Sequence, residues 1–295
     1  MTTGRVNQAP YEPVKSFDGS TIAARRLSDE SGMPLLVVNA IGANLAPWRK
    51  SLIDIVRERP VYTWDHRGLL DSAPPATNRF DPGAQAEDAA AVLDHFDAAK
   101  CVLVSWSNGA RIALELAYRY PERIEAMVLV CGTYGHAASR LVRNLELFPL
   151  IPIAAGIAKH FAGYLEGPLR RFVDRREIAG IIRQSGVVGA NADTRALIEL
   201  LRGVAGSDLK RLLATFEAVV GNTGQELLHG IEAPTLLIAG EYDQFSPMTM
   251  QEEMRAAISS CRLDVYERAT HYLPLEYPAK LGDDIRKFFK DAGAA

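Results

Sequence analysis

The sequence predicts an α/β protein: a mostly parallel sheet, helices on both faces, and a helical insertion. Three observations carry this reading. Short apolar runs alternate with stretches of helical spacing on both sides of a long middle segment. Runs such as Leu35-Leu36-Val37-Val38 are continuous rather than alternating, the pattern of a strand covered on both faces. Between about Tyr134 and about Gly230 the alternation stops, and no clear buried strand occurs. Strand–helix alternation implies a parallel sheet whose chemistry sits at the carboxyl ends of its strands. The chain returns to the same pattern afterwards, so the middle segment reads as an insertion over that edge.

Each element has its own signal. Tyr11 to Phe17 and Thr21 to Leu27 flank Asp18-Gly19, a hairpin signature. Leu35 to Val38 is a buried strand. Pro47 to Glu58 has helical spacing, with Trp48, Leu52, Ile55 and Val56 on one side. Val61 to Trp64 reads as a strand and Ala84 to Phe96 as a helix, with Ala90, Leu93 and Phe96 inward. Cys101 to Val104 is a strand, Ala110 to Ala117 a helix, and Ala126 to Val130 a strand. The insertion offers helical segments at Ala138 to Leu147, Leu165 to Ile182, Thr194 to Arg202 and Leu209 to Val219, punctuated by Gly, Pro and Asn. Thr235 to Ala239 resumes the strands. A helix from about Met248 to Ile258, a strand Arg262 to Tyr266 and a helix from about Pro278 to Lys290 complete the order.

Composition excludes several classes of function. The 295 residues are 48% apolar, enough for a sizeable core. The net charge of -3 gives no reason to expect nucleic acid or an anionic membrane as partner. The basic cluster Arg170 to Arg176 is interrupted by Asp174 and reads as a solvated helix face. Three cysteines, Cys101, Cys131 and Cys261, have no spacing that suggests a disulfide framework or a zinc site. Met1 to Gln8 lacks the apolar stretch of a signal peptide, and no run reaches the roughly 18 apolar residues of a membrane span. The longest candidate, Leu145 to Ala158, is broken by Pro149 and Pro152. A soluble cytoplasmic protein is the expectation, and homo-oligomer formation stays open.

Chemistry centres on Ser105-Trp106-Ser107-Asn108-Gly109. These residues join a strand to a helix through a turn of small residues. Such a turn forces the Ser107 side chain above the sheet edge, the context of a nucleophile elbow. The plainer alternative is a strand-to-helix turn with a helix-capping serine. A serine hydroxyl is a weak nucleophile at neutral pH and needs a base, which needs an orienting partner. Asp243 follows the strand at 235–239, and His271 follows the next strand. Asp243 could instead be a turn or cap residue, and Glu241 is the competing carboxylate. The other histidines fit poorly: His66 lies in an earlier loop, His95 in a helix, and His136, His160 and His229 in or beside the insertion.

Taken together, these residues resemble the α/β-hydrolase superfamily from about Val14 to Phe289. Asp65-His66-Arg67-Gly68-Leu69-Leu70-Asp71-Ser72 resembles the family's D-x-R-G-x-G-x-S loop, with Leu70 replacing a glycine. Tyr120 to Ile124 resembles its P-x-R-V link. Pro234 to Gly240, with Asp243 and Pro247, resembles the acid-bearing segment. His271 to Pro278 resembles the terminal G-H-x-x-x-x-E-x-P, with Thr270 in the glycine place and Glu276 in the glutamate place. In the elbow, Ser105 stands where G-x-S-x-G has its first glycine. The loop Val38-Asn39-Ala40-Ile41-Gly42-Ala43-Asn44 is similar to that of 3-oxoadipate enol-lactonases.

The resemblance implies an eight-stranded α/β-hydrolase core at 1–133 and 233–295, with a helical cap at 134–232. It implies a serine hydrolase with Ser107 as nucleophile, His271 as base and Asp243 as orienting acid. It puts the oxyanion donors on the backbone N–H groups of Asn108 and Ile41. Asn39 either ties the loop down or is a turn residue, and Trp106 either walls the pocket or packs beneath the elbow. The insertion is apolar at Leu147 to Ile153, Phe161, Tyr164 and Phe172, mostly through packing on the core, with some residues facing the pocket.

The expected substrate is therefore a small, largely apolar ester, thioester or lactone. C–C bond hydrolysis of a dicarbonyl compound, a cofactor-free perhydrolase and a ligand-binding protein are the alternatives. No dinucleotide, phosphate-loop or H-E-x-x-H motif is present, so no cofactor and no catalytic metal are expected.

Overall fold

The computed structural model describes residues 9–135, 162–175, 177–221 and 223–294. Eight strands form one sheet: β1 (Glu12–Lys15), β2 (Thr21–Arg26), β3 (Leu35–Val38), β4 (Val61–Trp64), β5 (Cys101–Trp106), β6 (Ile124–Val130), β7 (Thr235–Gly240) and β8 (Cys261–Tyr266). Their order is β1-β2-β4-β3-β5-β6-β7-β8. The Asp18-Gly19 hairpin pairs β1 with β2 antiparallel, and β2 runs antiparallel to β4. From β4 to β8 every neighbouring pair is parallel. The central strands β3, β4, β5 and β7 are buried at every position, which is why they read as continuous apolar runs.

Helices cover both faces. The helices α1 (Pro82–His95) and α2 (Gly109–Arg119) pack on one face together with Leu36, Leu103 and Leu129. Asp81 caps α1 by accepting the Ala84 N–H at 3.0 Å. On the other face, Trp48, Val104, Trp106, Leu281 and Phe289 share a core. The segment at 47–58 departs from expectation. It forms short 3₁₀ turns at Ala46–Trp48 and Ile55–Arg57 rather than one α-helix. Its backbone bonds mix spacings of three and four, as in Trp48 N–H to Leu45 and Leu52 N–H to Trp48. Its apolar side is still Trp48, Leu52, Ile55 and Val56, all buried.

Between β6 and β7 the described residues form helices α3 (Ala162–Val173), α4 (Ile178–Gln184), α5 (Thr194–Gly206) and α6 (Leu209–Val220). The single helix expected over 165–182 is thus two, divided around 174–177. Asp193 and Asp208 cap α5 and α6. Ala179, Ala196, Leu197 and Leu200 join the same core as Trp48 and Trp106, so α4 and α5 share a core with the sheet. The expectations for Ala138 to Leu147, the run to Ala158, Phe161, His136, His160 and Arg176 lie outside the described residues. Arg170 closes the end of α5, donating to the carbonyls of Ala205 and Gly206. Helices α7 (Met248–Ala257), α8 (Leu273–Glu276) and α9 (Pro278–Asp291) complete the chain. No described helix is long and apolar enough to cross a membrane.

Candidate active site

Three successive structural decisions bring the expected residues together. The first is the elbow after β5. Ser107 has φ 58°, a left-handed conformation unusual for a residue with a Cβ. Its N–H donates to Val130 at 2.9 Å, and its carbonyl accepts from Ala110 at 3.0 Å, so both sides of the turn are tied. The two small positions of the motif are not equivalent. A Cβ at Gly109 would lie 2.4 Å from the Asn39 carbonyl oxygen and 2.7 Å from that of Val38. Glycine is therefore required there, where the elbow presses on the loop after β3. Ser105 meets no such limit: it is fully buried, and its hydroxyl has no hydrogen-bond partner among the described residues.

The second decision is the loop after β7. Asp243 Oδ1 accepts the N–H groups of Phe245 and Ser246, both at 2.8 Å. Its Oδ2 accepts from His271 Nδ1 at 2.8 Å and from the Ser246 hydroxyl at 2.5 Å. Burial alone would raise this carboxyl. The adjacent imidazole and the hydrogen bonds from His271 and Ser246 outweigh burial and hold it below its ordinary value. Glu241, the competing carboxylate, accepts the Arg268 N–H at 2.8 Å and serves a turn.

The third is the loop after β8, where His271 Nε2 lies 2.7 Å from Ser107 Oγ. With Nδ1 donating to Asp243, the Nε2 lone pair faces the Ser107 hydroxyl. The chain Ser107–His271–Asp243 can therefore draw a proton off the hydroxyl and store the resulting positive charge beside a buried carboxylate. Thr270, in the family's glycine place, has an ordinary negative-φ backbone. Its hydroxyl and N–H donate to Glu276 at 2.5 and 2.8 Å. Glu276 also accepts the Gly189 N–H at 2.7 Å, tying the inserted segment to the histidine loop. Leu70, the other glycine substitution, carries the left-handed φ of 52° that a glycine would take without strain.

Trp106 and Asn39 are both buried and hydrogen-bonded. Trp106 is 2% exposed, and its Nε1–H donates to the His271 carbonyl at 2.9 Å. Its ring lies beside that of His271, with centroids 6.1 Å apart. Asn39 is buried, and its Nδ2 donates to Thr63 Oγ1 at 3.3 Å, tying the loop to β4. Besides Trp106, the described aromatic neighbours of His271 include Phe245 and Tyr272, with ring centroids 5.0 and 5.9 Å from the His271 ring. The helices α5 and α6 close on the loop after β3: a Cβ at Gly42 would lie 2.8 Å from Leu212 Cδ1, and Asn44 Nδ2 donates to the Glu199 carbonyl at 3.1 Å.

The backbone N–H of Asn108 has no acceptor among the described residues, so it is available to a developing oxyanion. The Ile41 N–H is engaged, donating to Asn108 Oδ1 at 3.2 Å. Two residues escaped the sequence reading. The Ser246 hydroxyl donates to Asp243 Oδ2, the oxygen that faces His271, and lies 3.0 Å from the Cys131 carbonyl. Cys131 adopts φ 46° at the end of β6. Its thiol, the Asp243 carboxylate and the His271 ring have ligand atoms within 4.8 Å, the one such grouping among the described residues. Burial, with the Asp243 charge beside it, pushes that thiol well above its ordinary value and keeps it a protonated, poor metal ligand. No sequence pattern marks either residue, and the two meet only where the loops after β6 and β7 touch.

The chain is similar to several known proteins. The 2-hydroxymuconate semialdehyde hydrolase of Pseudomonas sp. (strain CF600) is 25% identical, over 90% of this chain and 89% of that protein. A pimeloyl-(acyl-carrier protein) methyl ester esterase of Neisseria meningitidis serogroup B is 26% identical, over 84% of this chain and 91% of that protein. Among solved structures, the enol-lactonase from Burkholderia xenovorans LB400 superposes with a TM-score of 0.76 at 17% identity, over 95% of this chain and 100% of that one, a likeness of fold. The sequence model of the alpha/beta hydrolase fold matches residues 33–278, and the chain belongs to that family.

Proposed function

We propose that the protein is a serine hydrolase that cleaves a small, largely apolar carboxylic ester, thioester or lactone. One observation carries the reading: Ser107 Oγ, His271 and Asp243 form a continuous hydrogen-bonded chain with spacings of 2.7 and 2.8 Å. Ser107 Oγ attacks the substrate carbonyl carbon as His271 Nε2 takes its proton. Asp243 holds the imidazole tautomer and stabilises the imidazolium. The N–H groups of Asn108 and Ile41 bind the oxyanion of the tetrahedral intermediate. His271 then protonates the leaving oxygen or sulfur, which departs and leaves Ser107 acylated. Water, deprotonated by His271, attacks the acyl-enzyme, and Ser107 recovers its proton as the acid leaves.

The inserted segment, 134–232, serves as a cap, and the acyl group lies between cap and core. The contacts of Leu212 with Gly42 and of Gly189 with Glu276 support that position. Phe245 and Tyr272 beside His271 favour an apolar acyl group over a charged one.

A second reading keeps the triad for C–C bond hydrolysis, favoured by the similarity to 2-hydroxymuconate semialdehyde hydrolase across most of both chains. The two part on a direct assay with p-nitrophenyl esters of rising chain length beside 2-hydroxymuconate semialdehyde. We expect ester turnover to dominate in kcat/KM; dominance of the semialdehyde would select the second reading. Asp243→Asn should lower kcat by about 10³- to 10⁴-fold with the fold intact. If Glu241→Gln does so instead, the acid is misassigned.

A further inference from the structure

We infer that the Asn108 carboxamide is a displaceable stopper in the oxyanion site, a role that rests on the serine-hydrolase reading above. The Ile41 N–H donates to Asn108 Oδ1 at 3.2 Å across the gap between the loop after β3 and the elbow. A substrate carbonyl bound by the same N–H must bring its oxygen to about 3 Å from that nitrogen. The carboxamide oxygen already occupies a position of this kind. One N–H has one hydrogen, so the two oxygens compete for it.

The backbone cannot relieve the competition. Gly109 sits so close to Asn39 and Val38 that no Cβ fits between them, which fixes the elbow against the loop. The side chain can. Asn108 is half-buried rather than enclosed, and it makes no capping bond to α2. Its carboxamide can rotate outward to water, where both its oxygen and its NH₂ find partners. In the empty site the stopper satisfies the Ile41 N–H; as the carbonyl of the acyl group arrives, it turns out and leaves two converging donors, Ile41 N–H and Asn108 N–H. The backbone donor of Asn108 and the side-chain acceptor of Asn108 thus have opposite effects on catalysis, and only the second is removed by substitution.

The test compares steady-state hydrolysis of p-nitrophenyl butyrate by the wild-type protein, Asn108→Ala, Asn108→Ser and Asn108→Asp. Alanine and serine side chains are too short to reach the Ile41 N–H and leave the Asn108 N–H in place. Loss of one neutral hydrogen bond in the free enzyme should raise kcat/KM by about 3- to 10-fold. A rise of this kind cannot come from partial unfolding. Aspartate should hold the N–H more tightly and repel the oxyanion, lowering kcat/KM by about 100-fold or more. Unchanged or lower kcat/KM in both the alanine and serine variants overturns the stopper. Reaction of the wild-type Ser107 with a fluorophosphonate, run in parallel, separates the two claims. If Ser107 reacts while the variants show no gain, the nucleophile stands and the stopper falls. If wild-type Ser107 does not react, the serine-hydrolase reading fails and takes the stopper with it.

Discussion

The Trp106 indole donates a hydrogen bond from Nε1 to the main-chain carbonyl of His271 at 2.9 Å. The strand that presents Ser107 therefore also holds the loop that presents the base, and the 2.7 Å approach of the two side chains depends on this tie. Trp106→Phe keeps most of the packing and removes the donor. Leaving the buried carbonyl unsatisfied should cost about 1–3 kcal/mol of stability. Loss of the fixed histidine position should lower kcat by about 10-fold, with KM little changed. Denaturant unfolding and steady-state kinetics on the same variant check both effects.

Ser246 does for Asp243 what Trp106 does for His271. Its hydroxyl donates to Asp243 Oδ2, the oxygen that also faces the imidazole. Ser246→Ala frees that oxygen to move away from Nδ1 and removes one of the contacts that hold the carboxyl below its ordinary value. The expected outcome is a fall in kcat of about 10-fold. Since the carboxyl is then less acidic, activity should also be lost at a higher pH on acidification than in the wild type. A pH–rate profile of both proteins measures the displacement.

Around the elbow, Gly109 and Ser105 should respond to alanine with opposite signs. Gly109→Ala places a Cβ against two main-chain oxygens that cannot move without shifting the loop after β3. A loss of about 3 kcal/mol or more is expected. Ser105→Ala deletes a buried hydroxyl that has no partner among the described residues, and stability should rise by about 1 kcal/mol. Urea midpoints give both signs in one experiment.

Stability should fall on acidification through His66. Burial drives its imidazole down from 6.5 to about 4, and its Nε2 has no partner among the described residues. An unfolded chain takes up this proton near pH 6.5, and the folded chain takes it up only near pH 4. Between these values the unfolded state binds more protons, so stability drops as pH falls; below the lower value this group adds nothing further. The contribution lost by pH 4.5 is about 2–3 kcal/mol. His66→Asn should lack it, so the wild type and the variant should differ in their pH 7 to pH 4.5 stability change by that amount in urea titrations.

Much of this site was legible in the sequence because its chemistry follows strand ends. Ser107 follows β5 directly, Asp243 lies three residues past β7 and His271 five residues past β8, and all three strands are parallel members of one sheet. Asp243 was separable from Glu241 by its longer distance past β7. The helical turns at 47–58 were misread as one helix because apolar spacing reports which side is buried, not whether bonds close over three or four residues. The break in the helix expected at 165–182 carries no glycine or proline at 174–177 to announce it. Ser246, Cys131 and the side chain of Asn108 were out of reach for a different reason. Their contacts form where separate loops meet in space, across the 67 residues between Ile41 and Asn108 and the 115 between Cys131 and Ser246.

The central claim is that Ser107 is the nucleophile. Mass spectrometry of the protein after reaction with a fluorophosphonate tests it most directly. One adduct, on the peptide bearing Ser107 and absent from Ser107→Ala, is the predicted result. An adduct on another residue, or one that persists in Ser107→Ala, would contradict it.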